Sequence, residues 1–388
     1  MKDVKVTDSI LYIGVDDKDI DLFEGQYIVP KGISYNSYVI MDEKIAVMDT
    51  VDARKTEDWF ENLKVTLNGK KADYLVVSHM EPDHAANIKN LVELFPEIKI
   101  VGNVKTFQLI SQFFDIDLTD RSVIVKEGEV LNLGQHKLQF FMAPMVHWPE
   151  VMITYDQTEK VLFTADAFGK FSTLDVDEEW DCEARRYYFN IVGKYGTTVQ
   201  ALLKKVENLD VSMICPLHGP VLKENLEYYI NKYNIWSSYS PENKGVFIAY
   251  ASIYGNTAAA AKKLASILKE KEVEKVVLCD LAREDMAEAL EDAFRYDRMV
   301  VASSTYDGGI FPWMEEFLLH LKSKNYQKRT VGIIENGSWA PMSGKLMKEI
   351  IGGFKDVTVC EPIVSIKSTM NDENVKMLES LADALSAE

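Results

Sequence analysis

At 388 residues the chain exceeds the size at which one hydrophobic core stops growing, so two domains are expected. A hydrophobic fraction of 47% with plentiful aromatics excludes a mainly disordered chain, and no apolar run is long enough to span a bilayer. The formal net charge of −18 excludes nonspecific nucleic-acid binding, which needs clustered Lys and Arg.

The opening stretch MKDVKVTDSI lacks the apolar centre of a signal peptide, so a cytoplasmic protein is expected. Cys182, Cys215, Cys279 and Cys360 lie far apart and form no CxxC pair. This argues against disulfides and against an iron–sulfur or rubredoxin-type centre within the chain.

In chain order, SYNSYVI and IAVMDT predict a hairpin, and DYLVV (Asp73 to Val77) predicts a buried strand. ANIKNLVELF has helical spacing and stops before Pro96. KLQFFM, VMITY, KVLFT and VSMIC read as further strands, with TVQALLKKVENL a helix between the last two. WSSYSPENKG (Trp236 to Gly245) is the linker candidate, placing a boundary between residues 1–243 and 244–388. Beyond it, the strands GVFIAYAS, EKVVLCD, DRMVVASS, TVGIIE and VTVCEPI alternate with helical stretches. That alternation predicts a doubly wound, five-stranded parallel sheet.

The segment SHMEPDHAANI places His79, Glu81, Asp83 and His84 directly after the strand DYLVV. His147, Asp166 and His218 each follow a later apolar run. Loops at strand ends are where a rigid scaffold displays functional groups. Imidazole and carboxylate together suit zinc, iron or manganese, and seven donors exceed one tetrahedral shell, so two ions are implied. Asp166 is the natural bridge, because a carboxylate can reach two cations and a neutral imidazole cannot. His136 and His320 lack such company and read as structural or surface residues. Cys215 points to the core by strand alternation. Trp148 is read either as a wall of the metal pocket or as core filler.

A second constellation lies downstream. Ser252, Ile253, Tyr254, Gly255, Asn256 and Thr257 form a loop between a strand and a helix. Hydroxyls, a permissive glycine and a helix N-terminus suit a phosphate there. Ser304, Thr305, Tyr306, Asp307, Gly308 and Gly309, then Asn336, Gly337, Ser338 and Trp339, follow later strands on the same edge of such a sheet. Tyr306 and Trp339 are placed to flank a flat ring. The loop is not GxGxxG, so a dinucleotide is disfavoured.

The motif His79-x-Glu81-x-Asp83-His84, with His147, Asp166 and His218, resembles that of the flavodiiron proteins (A-type flavoproteins). The resemblance covers essentially the whole chain. It implies an α+β metallo-β-lactamase-like αββα sandwich followed by an α/β flavodoxin-like domain. Zinc enzymes of the wider superfamily carry His where this chain has Glu81. The resemblance further implies FMN in the flavodoxin-like part and two iron ions, one on His79, Glu81 and His147, the other on Asp83, His84 and His218, with Asp166 between. His84 is uncoordinated in some members. The implied activity is reduction of dioxygen to water, of nitric oxide to nitrous oxide, or both. The implied partners are an external donor, such as rubredoxin or a reduced deazaflavin, and a second copy in a head-to-tail homodimer or a dimer of dimers. Two other readings stay open at this stage: a dizinc hydrolase with a flavodoxin appendage, and a non-catalytic flavin electron carrier.

Overall fold

The computed structural model describes residues 4–387. The reading of the extreme N-terminus falls partly on residues 1–3, outside the described residues. The chain forms two compact units. One runs to Tyr188 and resumes over Thr197–Asn234; the other comprises Phe189–Gly196 and the chain from Ile235 onward.

The first unit is built on two sheets. Strands β1 (Ile10–Tyr12), β2 (Tyr38–Ile40), β3 (Ala46–Met48), β4 (Tyr74–Val76), β5 (Lys99–Gly102) and β6 (Ser122–Ile124) lie side by side in that order. The pairing is antiparallel across β1–β2–β3 and parallel from β3 to β6. Strands β7 (Val130–Asn132), β8 (Lys137–Met142), β9 (Met152–Asp156), β10 (Val161–Phe163) and β11 (Met213–Cys215) form the second sheet, antiparallel except for the parallel β10–β11 pair. The sheets share one core. Ile10, Tyr38, Met48 and Val76 from the first meet Leu138, Phe140, Met152, Phe163 and Cys215 from the second. Cys215 is thus a core residue, as its strand alternation predicts. The helix Thr56–Leu67 buries Trp59, Leu63 and Leu67, one side chain per turn, and ends on left-handed Asn68.

The second unit carries five parallel strand positions in the order β13 (Val276–Asp280), β12 (Asn243–Ala251), β14 (Tyr296–Tyr306), β15 (Gln327–Asn336), β16 (Lys355–Val359). This 2-1-3-4-5 order is that of the flavodoxin-like folds. Val246, Ile248 and Tyr250 of β12 face Leu264 and Leu268 of the helix Asn256–Glu270 and Leu378 and Leu381 of the helix Asp372–Ser386. Alternation sends Phe247 to the other face, where its ring meets Phe317 of the helix Pro312–Ser323.

Two sequence expectations need correction. VTVCEPI is not one strand: pairing with β15 breaks after Val359 and resumes at β17 (Val364–Ile366). Pro362 lies in the gap, where its missing N–H cannot serve a ladder. Nor is Trp236 to Gly245 a free linker. A helix extends to Ser237, β12 begins at Asn243, and the buried Trp236 indole donates to Glu242 at 2.7 Å. Its polar letters are those of a packed turn. Among the described residues, no helix is long and apolar enough to cross a membrane.

Candidate metal centre and flavin edge

Strand ends position the metal-type donors. His79 and Glu81 follow β4, with Glu81 entering the short helix Pro82–Ala85 that presents Asp83 and His84. Pro82 at the first helical position fixes that turn. His147 follows β8, Asp166 follows β10 and His218 follows β11. Both sheets therefore contribute at one end of the sandwich.

The seven side chains converge as two sets. In the first, His79 Nε2 lies 3.2 Å from Glu81 Oε2, 3.3 Å from His147 Nε2 and 3.4 Å from Asp166 Oδ2. His147 Nε2 lies 3.0 Å from both Glu81 Oε2 and Asp166 Oδ2. In the second, His84 Nε2 lies 3.0 Å from His218 Nε2, 3.2 Å from Asp83 Oδ2 and 3.3 Å from Asp166 Oδ1. His218 Nε2 is 3.3 Å from Asp83 Oδ2 and 3.9 Å from Asp166 Oδ1. Donors on one ion at ~2.0–2.1 Å stand about 3.0–3.4 Å apart, so the spacings suit one ion per set. Asp166 turns one oxygen to each set.

Hydrogen bonding makes the same point. His79 Nδ1 is 2.8 Å from Glu150 Oε1, and His218 Nδ1 is 2.7 Å from the Ser34 carbonyl oxygen. A neutral imidazole that donates through Nδ1 presents a bare lone pair at Nε2. Both oxygens of Asp83 and of Asp166 are buried without a hydrogen-bond partner. Lone pairs and carboxylates facing one another in a buried site call for cations. Without metal, protons must take that place. Burial opposes a charge on His147, but the Asp166 and Glu81 carboxylates outweigh it and push the imidazole up to about 9. His79 and His84 are raised too, burial being outweighed by Asp166 and Glu150 for the first and by Asp83 and Asp166 for the second.

Some neighbours were not anticipated from the sequence. Glu150 is fully buried and also accepts from Met80 N at 2.8 Å. Asp49, just after β3, accepts from Ser78 N at 2.6 Å and so fixes the loop carrying His79. The Tyr187 hydroxyl is buried without a partner, and its ring centroid lies 5.5 Å from that of His218. Strand-end position would have pointed to Asp49; nothing local marks Glu150 or Tyr187. Trp148 is half-buried and stands edge-on to His79 at 5.2 Å. A cavity of about 540 Å³, walled by Phe23, Glu24, Tyr35 and Arg54, reaches Glu81 and Asp83. His136 is buried and bound to Asp156 at 2.9 Å, away from these sets, and His320 lies on the surface.

In the second unit, Ala251, Ser303 and Glu335 stand in register on neighbouring strands β12, β14 and β15. The loops that follow them share the carboxyl edge of the sheet, at the point where strand order reverses. Gly255 caps the helix Asn256–Glu270 at φ 93°, and a Cβ there would meet nothing within 4 Å. Its backbone conformation requires glycine, and the space beside it is open. Gly255 N donates to Ser252 Oγ at 3.1 Å, and Thr257 and Ser304 join hydroxyls at 2.8 Å. Asp307 and Gly308, both at positive φ, form a tight hairpin turn that pairs Tyr306 with Gly309. Thr305 Oγ1 accepts from Met342 N and Ser343 N, and the Asn336 amide is bonded to Ser368. Those two side chains therefore hold loops together. Ser338 Oγ accepts from Ser368 Oγ at 2.8 Å. Tyr254 and Trp339 are almost wholly exposed, at 95% and 92%, and Tyr306 and Ile253 partly so. An open glycine turn at a helix N-terminus, ringed by exposed aromatics, fits a phosphate joined to a flat ring.

Comparison with known proteins likewise finds two domains. The ODP family beta lactamase model matches residues 33–219, and the Flavodoxin domain model matches residues 247–348. An uncharacterized protein of Methanocaldococcus jannaschii is 30% identical, over 96% of this chain and 95% of its own. A nitric oxide reductase of Moorella thermoacetica is 29% identical, over 99% of this chain and 98% of its own. The solved rubredoxin oxygen:oxidoreductase of Desulfovibrio gigas superposes with a TM-score of 0.92 at 26% identity, covering 98% of this chain and 97% of the other. Two donor sets sharing a carboxylate, a flavodoxin-type sheet, the two family models and relatives that match over nearly their whole length lead to one conclusion: the chain belongs to the flavodiiron proteins.

Proposed function

We propose that this chain is an oxygen reductase, a nitric oxide reductase, or both, passing electrons from FMN to a non-haem diiron site. One observation carries the reading: Asp166 joins two donor sets, and one of these uses the Glu81 carboxylate where a hydrolase would use a third imidazole. Carboxylate donors favour the higher charge of oxidised iron, and a redox-inert zinc pair gains nothing from them. In this reading His79, Glu81 and His147 would hold one iron and Asp83, His84 and His218 the other, with Asp166 shared between the two sets. Bound there, the iron pair and the flavin supply one-electron and two-electron chemistry respectively.

The chain's own residues do the rest. Asp49 and Glu150 fix the His79 loop by their bonds to Ser78 N and Met80 N. Trp148, Phe23 and Tyr35 present apolar surface around the donors, suited to a small, uncharged diatomic. The amides opening the helix at Asn256, with Ser252 and Thr257, would receive the FMN phosphate, and Tyr306 and Trp339 would stand beside its ring. Relatives named nitric oxide reductase and rubredoxin oxygen:oxidoreductase support both substrates and a rubredoxin-type external donor; a reduced deazaflavin is the alternative donor. We place the protein in the cytoplasm as a head-to-tail homodimer, or a dimer of dimers, in which the flavin of one chain approaches the iron pair of the next. The test is anaerobic reduction of the purified protein, then separate exposure to dioxygen and to nitric oxide. Rapid flavin reoxidation with water or nitrous oxide as product is expected. Full zinc occupancy with no flavin-driven consumption of either gas would sink the reading in favour of a hydrolase.

A further inference from the structure

His79 in the first donor set differs from His84 and His218 in the second in what stands behind its ring. His79 meets Glu150 Oε1 through Nδ1 at 2.8 Å, and Glu150 is 1% exposed. His218 meets only a neutral acceptor through Nδ1, the Ser34 carbonyl oxygen at 2.7 Å. His84 Nδ1 is buried with no hydrogen-bond partner. Glu150 Oε2 is likewise buried without one, so the negative charge of this carboxylate is answered mainly by the His79 ring and the Met80 amide. An outer carboxylate fixes the tautomer and orientation of a metal-bound histidine and makes it a stronger donor; a carbonyl does so less, and a missing partner not at all.

We propose that Glu150 is a positioning residue that makes the two metal sites unequal: the His79–Glu81–His147 site binds its ion more tightly, and the Asp83–His84–His218 site fills last and empties first. The proposal rests on the diiron reading above. It assigns the order of occupancy to one side chain outside both donor sets. His84, with no outer partner to hold its ring, is the ligand that lets go first.

The test is a chelator challenge of the full-length, FMN-containing protein, iron-loaded under anaerobic conditions, and of the same protein loaded with zinc. Metal remaining per chain is measured against chelator concentration. Wild type should release its two ions in separate steps, at least about tenfold apart. Glu150→Gln should weaken the tighter step by roughly 10–100-fold and leave the looser one unchanged, merging the two. FMN content and circular dichroism confirm that the variant is folded. Single-step release from wild type overturns the proposal, as does an unchanged tighter step in Glu150→Gln. Should that variant not fold, Glu150→Asp takes its place: its shorter reach should loosen the tighter step, and an unchanged step overturns the proposal equally. Zinc separates this inference from the reading beneath it. Ordered zinc release without reductase activity would refute the reductase and leave the role of Glu150 standing. Two irons of equal affinity with full turnover would do the reverse.

Discussion

Glu81→His is the substitution that bears most directly on the diiron assignment. Glu81 enters its helix in an extended conformation (φ −59°, ψ 138°) that any residue adopts, and its side chain makes no capping bond, so the backbone should not change. The ligand atom changes: Oε2, 3.2 Å from His79 Nε2 and 3.0 Å from His147 Nε2, is replaced by a neutral imidazole nitrogen. The first set then keeps one carboxylate, the shared Asp166, in place of two. Oxidised and reduced iron differ by one unit charge. At an effective separation of ~4 Å and an effective dielectric constant of about 20, one lost carboxylate charge is worth about 4 kcal/mol. That is roughly 170 mV on a one-electron couple, in the direction that favours the reduced state. The three-imidazole set also moves toward the zinc type. The assays are metal content after expression with both metals supplied, spectroelectrochemical titration of the diiron centre, and gas consumption with reduced flavin. Expected are zinc replacing iron when both metals are supplied, loss of turnover, and, in variant protein loaded with iron alone, an upward potential shift of the order of 100 mV, with FMN content unchanged. A variant that kept two irons, a potential within about 30 mV of wild type and full turnover would refute the reasoning.

Metal removal should reverse the pH response of the first unit. In metal-free protein His147 is pushed up to about 9, so its protonated form contributes stability fully present below ~6.5 and lost as pH rises through about 9. Melting temperature of the metal-free protein should fall across that window, whereas metal retention should improve because protons no longer compete; a flat profile would count against the clustered charges. Thr257→Val removes the hydroxyl bonded to Ser304 at 2.8 Å in the phosphate-type loop and should weaken FMN binding roughly tenfold by fluorescence titration, with iron content unaffected. His136 is raised by its bond to the Asp156 carboxylate, so His136→Gln should cost about 1.5–3 kcal/mol at acidic pH and less as pH rises past the raised value. A difference in melting temperature that stays constant from pH 5 to 9 would assign that pair a purely structural role.

The fold was legible where local pattern and tertiary role agree. The β3, β4, β10 and β11 segments are compact apolar runs because both their faces are covered, and the second unit's alternation of strand and helix dictates a parallel sheet. It was illegible where long-range bonds decide. Phe189–Gly196 follows the helix Trp180–Tyr187 with no break in composition, yet belongs to the second unit. There the Tyr239 hydroxyl meets the Gly193 carbonyl at 2.8 Å and the Gly196 amide at 3.1 Å, and Phe189 stacks on Phe294 at 4.3 Å. None of those partners is near in sequence, so no window of the chain reveals them.

The metal site divides in the same way. Donors must stand at strand ends, and four of the seven fall within one short loop, so His79, Glu81, Asp83 and His84 announce themselves. His147, Asp166 and His218 are found by reading a few residues past the end of each apolar run. Glu150 cannot be found so, because in the sequence it is one more acid before a strand, and its bond to His79 spans 71 residues. What identifies it is the tautomer it imposes: with Nδ1–H committed to Glu150, a neutral His79 has no proton to place at Nε2, where Glu81, His147 and Asp166 converge. The same commitment of His218 to Ser34 leaves a second bare nitrogen against Asp83. The outer acceptors thus exclude a neutral, hydrogen-bonded explanation for the cluster. The first set is left to a cation, and the sharing of Asp166 extends that requirement to the second.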